Sequence, residues 1–313
     1  MNILVIGAGG VGIELATSVA SQKANVSIYA RGETAKAIKE NGIERTGLFE
    51  HHEIKNVPVY ETYEEIPKDT FDYIFIASKT TANEEIAENL NNNRDILKDT
   101  SKIIIFQNGF GNDEPYLKYF TNSQVFCARV ITGASRPERH ISEVTIHTDI
   151  LLGSLQGENP ECLREIADLI NESDVSCEVT PEIDRYLWAK MLYNCALNPL
   201  GAILDMTYGE LTENPYTLEI MDNIIDEIFD VINASPYETL WQNSAEYKDL
   251  FYSKLVPDTY NHYSSTHQDI QRKIPTEIDS LNGKVIQLGE ANNINVDTNK
   301  VIYNLIKTIE ITF

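Results

Sequence analysis

Three polar side chains recur at helical spacing early in the second half of the chain. Lys190, Asn194 and Asn198 stand four residues apart in the run from Trp188 to Leu200, whose other members are mostly apolar. On a helix this spacing puts the three on one face. A lysine on a largely buried helix is costly unless it is paired or used. We predict that the stripe faces a functional cleft and that Lys190 stabilises negative charge there. The alternative is a surface stripe on an amphipathic helix.

A glycine-rich turn near the N-terminus is the second candidate for chemistry. Residues 7–12 match G-x-G-x-x-G, follow the apolar run 3–6 and open a stretch with helical spacing. In such a unit the glycines permit a tight turn, a close approach of the backbone to a pyrophosphate, and close helix–strand packing. The pyrophosphate then lies at the helix N-terminus. We predict a dinucleotide site, with a ligand-free turn as the alternative, at Gly7, Gly9, Gly10 and Gly12.

The residue after the second predicted strand bears on the choice of dinucleotide. NAD enzymes usually place an acidic residue there to hold the ribose 2′-hydroxyl, whereas Arg31 occupies that position here. A guanidinium suits a 2′-phosphate, so Arg31 favours NADP(H). Glu33 is the alternative, as an NAD-type ribose ligand, and a plain surface arginine is a third interpretation.

Two further polar residues follow predicted strands. Lys79 comes just after the third main strand and Asn108 just after the fourth. Ligands of open α/β sheets bind beyond the carboxyl ends of the strands, so both residues are candidates for cofactor or substrate contact. The alternative is ordinary loop chemistry, since Asn-Gly is a common turn.

A polar segment near the C-terminus contains a carboxylate of interest. Pro275 predicts the end of one helix, and Thr276 with Asp279 resembles a capping box that opens the next. Glu277 would then lie in the first helical turn, where the helix dipole favours a carboxylate. Considered alone, this glutamate is explained by helix capping.

The elements that must hold these residues alternate between strand and helix in the first half of the chain. Short apolar runs predict strands at residues 3–6, 25–29, 73–77, 103–106 and 125–131. The helical stretches between them predict a Rossmann-type, doubly wound parallel sheet. We also predict a hairpin from residues 144–147 and 150–152. After Pro181 the periodicity is helical, so we expect an NADP-binding α/β domain over 1–180 and an all-α substrate and catalytic domain over 181–313.

Composition excludes several classes of partner. The chain has 313 residues, 42% of them hydrophobic, and a net charge of −23. That charge repels nucleic acid and anionic membranes, and no apolar run approaches the ~20 residues needed to span a bilayer. The first residues lack the basic region of a signal peptide. We expect a soluble, cytoplasmic protein with a small-molecule substrate; a homodimer is left open.

The cysteines show no metal-ligand spacing. We therefore predict reduced, mostly buried thiols and no metal site. They are Cys127, Cys162, Cys177 and Cys195.

The order and spacing of these motifs resemble those of the ketopantoate reductases (2-dehydropantoate 2-reductases) over essentially the whole chain. The run Trp188 to Leu200 matches the family's W-x-K-x-x-x-N-x-x-x-N-P-L pattern, and Thr276 to Gly283 matches T-E-I-D-x-x-N-G. The resemblance implies that the glycine turn, Arg31, Lys79 and Asn108 bind NADP(H), that Lys190 and Glu277 are catalytic, and that four residues hold the substrate. These four are Asn108, Asn194, Asn198 and Ser265.

The resemblance further implies a reaction. NADPH would reduce 2-dehydropantoate to pantoate, on the route to pantothenate and coenzyme A, with Lys190 donating to the ketone oxygen. Two alternatives remain open: an NADPH-dependent reductase of another 2-oxo acid or an imine, and a non-catalytic NADP(H)-binding regulator.

Overall fold

The computed structural model describes residues 1–22 and 24–313 and divides them into two compact units. Unit 1 consists of residues 1–107 and 112–183, and unit 2 of residues 108–111 and 184–313. The short segment 108–111 therefore belongs with the second unit although its sequence neighbours belong to the first. The assignment of NADP binding to residues 1–180 and of catalysis to 181–313 stays a prediction.

Unit 1 contains two sheets. The strands are β1 (Asn2–Ile6), β2 (Asn25–Tyr29), β3 (Ile43–Gly47), β4 (His52–Ile54), β5 (Val59–Tyr60), β6 (Phe71–Ile76), β7 (Leu97–Ile105), β8 (Val125–Arg129), β9 (Thr132–Ser135), β10 (Ile141–His147), β11 (Ile150–Gly153) and β12 (Cys177–Val179). The main sheet has eight strands in the order β12-β11-β8-β7-β6-β1-β2-β5, and the second has four in the order β4-β3-β10-β9.

The main sheet is parallel except where β11 runs antiparallel to β8. Its central strands are continuous apolar runs because helices cover both faces of such a sheet. Residues Ile3 to Ile6 of β1, for example, are at most 1% exposed. The predicted Rossmann-type sheet is thus confirmed.

The predicted hairpin of residues 144–147 and 150–152 is wrong. β10 pairs with β3 and β9 in the second sheet, whereas β11 pairs with β8 and β12 in the main sheet. The burial patterns give the reason. All four residues of β11 are buried, as an interior strand requires, whereas β10 mixes buried and exposed positions and packs against the first helix.

The helices complete both units. They are α1 (Gly10–Ser21), α2 (Gly32–Asn41), α3 (Asn83–Asn92), α4 (Glu114–Leu117), α5 (Arg164–Asn171), α6 (Ile183–Leu204), α7 (Tyr208–Thr212), α8 (Pro215–Asn233), α9 (Ser244–Leu250), α10 (Val256–Asp258), α11 (Ser265–Gln271), α12 (Asn282–Asn292) and α13 (Asp297–Glu310). Residues 184–313, all of which the structure describes, contain no strand, so the predicted helical C-terminal half is confirmed. Among the helices of the described residues, none has the length and apolar character that crossing a membrane requires.

The four cysteines are free thiols, as predicted, and Cys162 is the exposed member of the set. Burial raises the pKa of Cys127, Cys177 and Cys195, which keeps these thiols protonated.

A buried charged group lies between α1 and the second sheet. Glu14 of α1 and Arg45 of β3 are both 0% exposed. Arg45 donates to Ser18 Oγ at 2.6 Å, Ser18 donates to Glu14 Oε1 at 3.2 Å, and Glu14 Oε2 has no hydrogen-bond partner among the described residues. Burial raises the pKa of Glu14 from 4.5 to about 7, although Arg45 opposes the shift.

This raised pKa predicts an unusual pH dependence. The folded state holds the Glu14 proton more tightly than the unfolded state, so its contribution to stability is present at low pH and is lost as the pH rises from 4.5 to about 7. Relative to a Glu14→Gln variant, the parent should lose about 3 kcal/mol of unfolding free energy over that window. Urea unfolding at a series of pH values measures the difference. A Glu178→Gln control on the exposed edge strand should follow the parent; parallel curves for parent and Glu14→Gln would contradict the assignment.

Candidate active site

The glycine turn of unit 1 is closely packed at two positions and open at a third. Gly7 has a φ of +107°, and a Cβ there would collide with the backbone of Ser78. A Cβ on Gly12 would collide with the carbonyl oxygen of Gly7, whereas nothing lies within 4 Å of a Cβ on Gly9. The tight positions explain the glycines at 7 and 12 by packing, and Gly9 faces open space.

The open space lies at the N-terminus of α1. Gly9 is the N-cap residue, no side chain caps the helix, and its first turn contains no acidic residue. The first N–H groups of a helix have no partner within it and favour an anion. Gly10 belongs to this first turn. The turn therefore fits a phosphate group.

Arg31 stands at the N-terminus of α2 as its N-cap residue. Its guanidinium pairs with Glu85 at 2.7 Å, and both side chains are more than half exposed. Glu33 lies in the first turn of the same helix. Exposed ion pairs contribute little to stability, so Arg31 can exchange Glu85 for an anionic ligand.

The carboxyl ends of β6 and β7 are joined by a pair of side-chain amides. Asn83 donates to Gln107 Oε1 at 3.0 Å, and Gln107 donates to Asn83 Oδ1 at 2.8 Å and to the carbonyl of Ser78 at 2.8 Å. This pair fixes the loop that carries Lys79. Lys79 is half-buried and directly precedes the 3₁₀ turn Thr80–Ala82.

In unit 2, the turn after β7 is held against a segment near the C-terminus. Gly109 has a φ of +96°, and a Cβ there would lie 2.5 Å from Ser280 Oγ. Phe110 donates its backbone N–H to the carbonyl of Ser280 at 2.9 Å, and its ring packs on Trp188 with 4.8 Å between centroids. The Asn-Gly dipeptide is thus more than a surface turn, because the glycine permits a close contact that fixes Asn108.

Asn108 joins the two predicted catalytic residues. The ammonium of Lys190 donates to Asn108 Oδ1, and Asn108 Nδ2 donates to Glu277 Oε2 at 3.3 Å. Glu277 is 7% exposed, and Lys190 and Asn108 are half-buried. A neutral amide therefore lies between an ammonium and a nearly buried carboxylate. This arrangement compensates both charges and leaves Lys190 close to a group of opposite sign.

The other members of the predicted stripe differ in their partners. Asn194 is 8% exposed, and its amide makes no hydrogen bond to the described residues. No Asn194 atom is among the fully buried polar atoms that lack a partner, so its amide is accessible to water or to a ligand. Asn198 Oδ1 accepts from the hydroxyl of Tyr208 at 2.7 Å, so Asn198 Nδ2 remains as the donor. Burial raises the pKa of Tyr208 well above its usual value, which keeps this hydroxyl protonated.

Pro199 lies inside α6 and would disrupt it without compensation. A proline cannot donate to the carbonyl four residues earlier, which belongs to Cys195. Asn282 of α12 donates its side-chain amide to that carbonyl at 3.3 Å. The helix therefore continues through the Asn-Pro dipeptide.

Ser265 is the first residue of α11 and is half-buried. Its neighbour Ser264 is the N-cap residue: Ser264 Oγ accepts from the His267 amide at 3.0 Å and donates to the Asn198 carbonyl at 3.0 Å. The start of α11 is thereby tied to the polar stripe. No ligand-binding role of Ser265 is tested by these contacts, so that role stays a prediction.

The predicted helix start at Thr276 is wrong. Glu277 precedes a single 3₁₀ turn, Ile278–Ser280, and the next α-helix begins at Asn282. The amide and hydroxyl of Thr276 both donate to Glu310 rather than closing a capping box. Helix capping therefore does not explain Glu277.

Comparison with known proteins assigns the family. The family model described as ketopantoate reductase PanE/ApbA matches residues 3–157, and the model of its C-terminal part matches residues 182–310. A curated relative, the 2-dehydropantoate 2-reductase of Aquifex aeolicus, is 31% identical over 99% of this chain and 97% of its own length. The chain belongs to the ketopantoate reductase family. This confirms the resemblance of the sequence motifs.

Solved structures of the ketopantoate reductase fold are similar over almost the whole chain. The 2-dehydropantoate 2-reductase from Geobacter metallireducens has a TM-score of 0.89 at 20% identity and covers 98% of this chain and 99% of its own. D-mandelate dehydrogenase with NADH and anilino(oxo)acetate has a TM-score of 0.88 at 20% identity and covers 100% and 99%. At these identities the likeness concerns the fold.

The sequence analysis did not predict the contact of Tyr208 with the polar stripe. It lies in a capping box formed by Thr207 and Glu210, a signal that marks a helix start but does not show where the tyrosine points. Its contact with Asn198 depends on the turn between α6 and α7, which local periodicity does not reveal.

The two glycine environments predict a contrast between matched variants. Gly12→Ala should lower the melting temperature, because its Cβ overlaps the Gly7 carbonyl oxygen and overpacking costs ~1–3 kcal/mol. Gly9→Ala should melt close to the parent but bind NADP(H) more weakly, because its methyl enters the open space at the helix N-terminus. Thermal unfolding and a fluorescence titration with NADPH measure the two effects. If a folded Gly9→Ala protein binds NADPH as the parent does, the assignment of the pyrophosphate site to this turn is wrong.

Proposed function

We propose that the protein catalyses the NADPH-dependent reduction of 2-dehydropantoate (ketopantoate) to pantoate. The observation that carries the proposal is the Lys190–Asn108–Glu277 arrangement. Membership of the family and the name of the Aquifex aeolicus relative, which matches over nearly its whole length, support the substrate.

Unit 1 would hold the dinucleotide. The open space at Gly9 and the uncapped N-terminus of α1 suit the pyrophosphate, and Arg31 suits the 2′-phosphate. Lys79, on the loop after β6, would add a further positive charge. NADPH supplies a hydride when it is bound.

Unit 2 would supply the groups that act on the substrate. Negative charge develops on the ketone oxygen during reduction, and the Lys190 ammonium can donate a hydrogen bond or a proton to that oxygen. General acid catalysis of this kind is typically worth ~10²–10⁴-fold. The Glu277 carboxylate, acting through Asn108, would orient Lys190.

Amide donors would bind the rest of the substrate. Asn194 makes no hydrogen bond to the described residues, and Asn198 keeps its Nδ2 as a donor while its Oδ1 accepts from Tyr208. Together with Ser265 they offer N–H and O–H donors suited to the carboxylate and hydroxyl groups of ketopantoate.

We also infer the cellular setting. A cytoplasmic enzyme of pantothenate and coenzyme A synthesis agrees with the acidic composition and with a small-molecule substrate. A homodimer stays a prediction.

A second candidate is the reduction of another 2-oxo acid, with either nicotinamide cofactor. The fold similarity to D-mandelate dehydrogenase with NADH and anilino(oxo)acetate favours including aromatic 2-oxo acids. A non-catalytic NADP(H)-binding regulator is disfavoured, because it has no use for a lysine linked to a nearly buried glutamate.

A substrate panel tests the proposal. Purified protein is mixed with NADPH or NADH and with ketopantoate, a straight-chain 2-oxo acid, or an aromatic 2-oxo acid such as phenylglyoxylate, and the absorbance of the reduced cofactor is followed. We expect the highest kcat/KM with ketopantoate, with pantoate as product. A higher kcat/KM for the aromatic acid selects the second candidate, and NADPH binding without turnover of any acid with either cofactor selects the regulator.

Arg31 predicts the cofactor preference. Arg31→Ala should raise the KM for NADPH and leave that for NADH nearly unchanged, because only NADPH carries the 2′-phosphate. Steady-state kinetics with each cofactor measure the ratio. Glu85→Gln, which removes the pairing carboxylate at 2.7 Å, should not weaken NADPH binding. An Arg31→Ala protein that keeps the parent's preference for NADPH over NADH would contradict a role of Arg31 at the 2′-phosphate. Glu33, as an NAD-type ribose ligand, would then be the next candidate.

A further inference from the structure

The segment that carries Glu277 has little regular structure of its own. Its one 3₁₀ turn, Ile278–Ser280, closes on the Glu277 carbonyl, which accepts from the Ser280 amide at 3.1 Å and from Ser280 Oγ at 3.0 Å. These contacts are local and fix one side of the residue. Besides its contact with Asn108, the position of Glu277 therefore also depends on what holds the residues on either side of it.

The last helix of the chain holds the residue before Glu277. Glu310 Oε1 accepts from both the backbone N–H and the hydroxyl of Thr276, each at 2.7 Å. Thr276 is 1% exposed, and the Glu310 side chain is 11% exposed. Hydrogen bonds to an ionised, shielded acceptor are stronger than those between neutral groups.

The same helix also holds the segment beyond Glu277. Tyr303 donates to Asp279 Oδ1 at 2.7 Å, and the Lys307 ammonium lies 3.2 Å from Asp279 Oδ2 and 2.9 Å from Glu310 Oε2. Tyr303, Lys307 and Glu310 share one face of α13 at helical spacing and are called the α13 clamp below. The clamp contacts the residues on both sides of Glu277.

The place of Glu310 in its helix argues against a role in helix stability alone. The C-terminal end of a helix carries partial negative charge, so a carboxylate in the last turn of α13 is unfavourable for the helix itself. Lys307 offsets part of this cost. The specific contact of the Glu310 carboxylate is with the two donors of Thr276, which it holds in place.

We propose that Glu310 is a positioning residue for Glu277, and through Asn108 for Lys190. This inference rests on the proposed function, since it assigns Glu277 to the reaction. Glu310 touches neither substrate nor cofactor in this account; it fixes Thr276, and a displacement of the Glu277 carboxylate would loosen its contact with Asn108 Nδ2.

The first test is kinetic. Glu310→Ala should lower kcat ~10–100-fold, because misplacing a catalytic group by about 1 Å costs up to ~100-fold, and should leave the KM for NADPH unchanged. Glu310→Gln keeps an Oε1 acceptor for Thr276 and should recover most of the loss. The matched control is Glu290→Ala, which breaks a Glu290–Lys300 pair of 3.0 Å between α12 and α13 and should retain the parent kcat.

A double-mutant cycle separates positioning from general destabilisation. If Glu310 acts through Glu277, then Glu310→Ala should change kcat by less than ~2-fold in a Glu277→Ala background. If the losses of kcat in the two single variants multiply in the double variant, the proposal is overturned.

A second variant applies if Glu310→Ala does not fold. Thr276→Val removes one donor to the same carboxylate and should also lower kcat; a parent-like kcat of this variant would overturn the proposal.

Hydrogen exchange tests the contact without relying on turnover. In Glu310→Ala, peptides covering residues 276–280 should exchange their amides faster than in the parent and in Glu290→Ala. Unchanged exchange overturns the inference whatever the activity. Faster exchange in a protein that reduces no 2-oxo acid leaves the contact standing and rejects both the proposed function and the positioning role.

Discussion

The amide of Asn108 accepts from the Lys190 ammonium and donates to the Glu277 carboxylate, and the proposed chemistry depends on this link. Glu277 is nearly buried, and a buried charge without compensation is strongly destabilising. A single neutral amide satisfies one oxygen of the acid and contacts the ammonium at the same time. Several other features of unit 2 hold this amide and its partner in place. Gly109 allows the close contact with Ser280, and Phe110 packs on Trp188. The 3₁₀ turn at Ile278–Ser280 closes on the Glu277 carbonyl.

The features that the sequence predicted well are those encoded within a few neighbouring residues. The glycine turn follows a strand and opens a helix, and both contexts are visible locally. The polar stripe from Lys190 to Asn198 follows from helical periodicity, and α6 does run unbroken from Ile183 to Leu204. The positions of Lys79 and Asn108 after their strands follow from the general rule for parallel sheets.

The features that the sequence did not predict depend on contacts between distant parts of the chain. Asn108 and Glu277 are separated by 169 residues, and no periodicity relates them. Thr276 and Asp279 have the sequence pattern of a helix start. No α-helix begins there, because the amide and hydroxyl of Thr276 donate to Glu310, 34 residues away. The second sheet was missed for a similar reason, because β3 and β10 pair across almost a hundred residues of intervening chain. Only the resemblance to a family brought Glu277 forward as a catalytic candidate.

The measurement that tests the account most directly is the kcat of a Lys190→Ala protein with NADPH and ketopantoate. If Lys190 acts on the charge that develops at the ketone oxygen, kcat should fall by at least ~100-fold, the lower end for a lost general acid, while a fluorescence titration shows NADPH binding as in the parent. Turnover at nearly the parent rate by Lys190→Ala would contradict the account and would make Lys79 the next candidate for the acid.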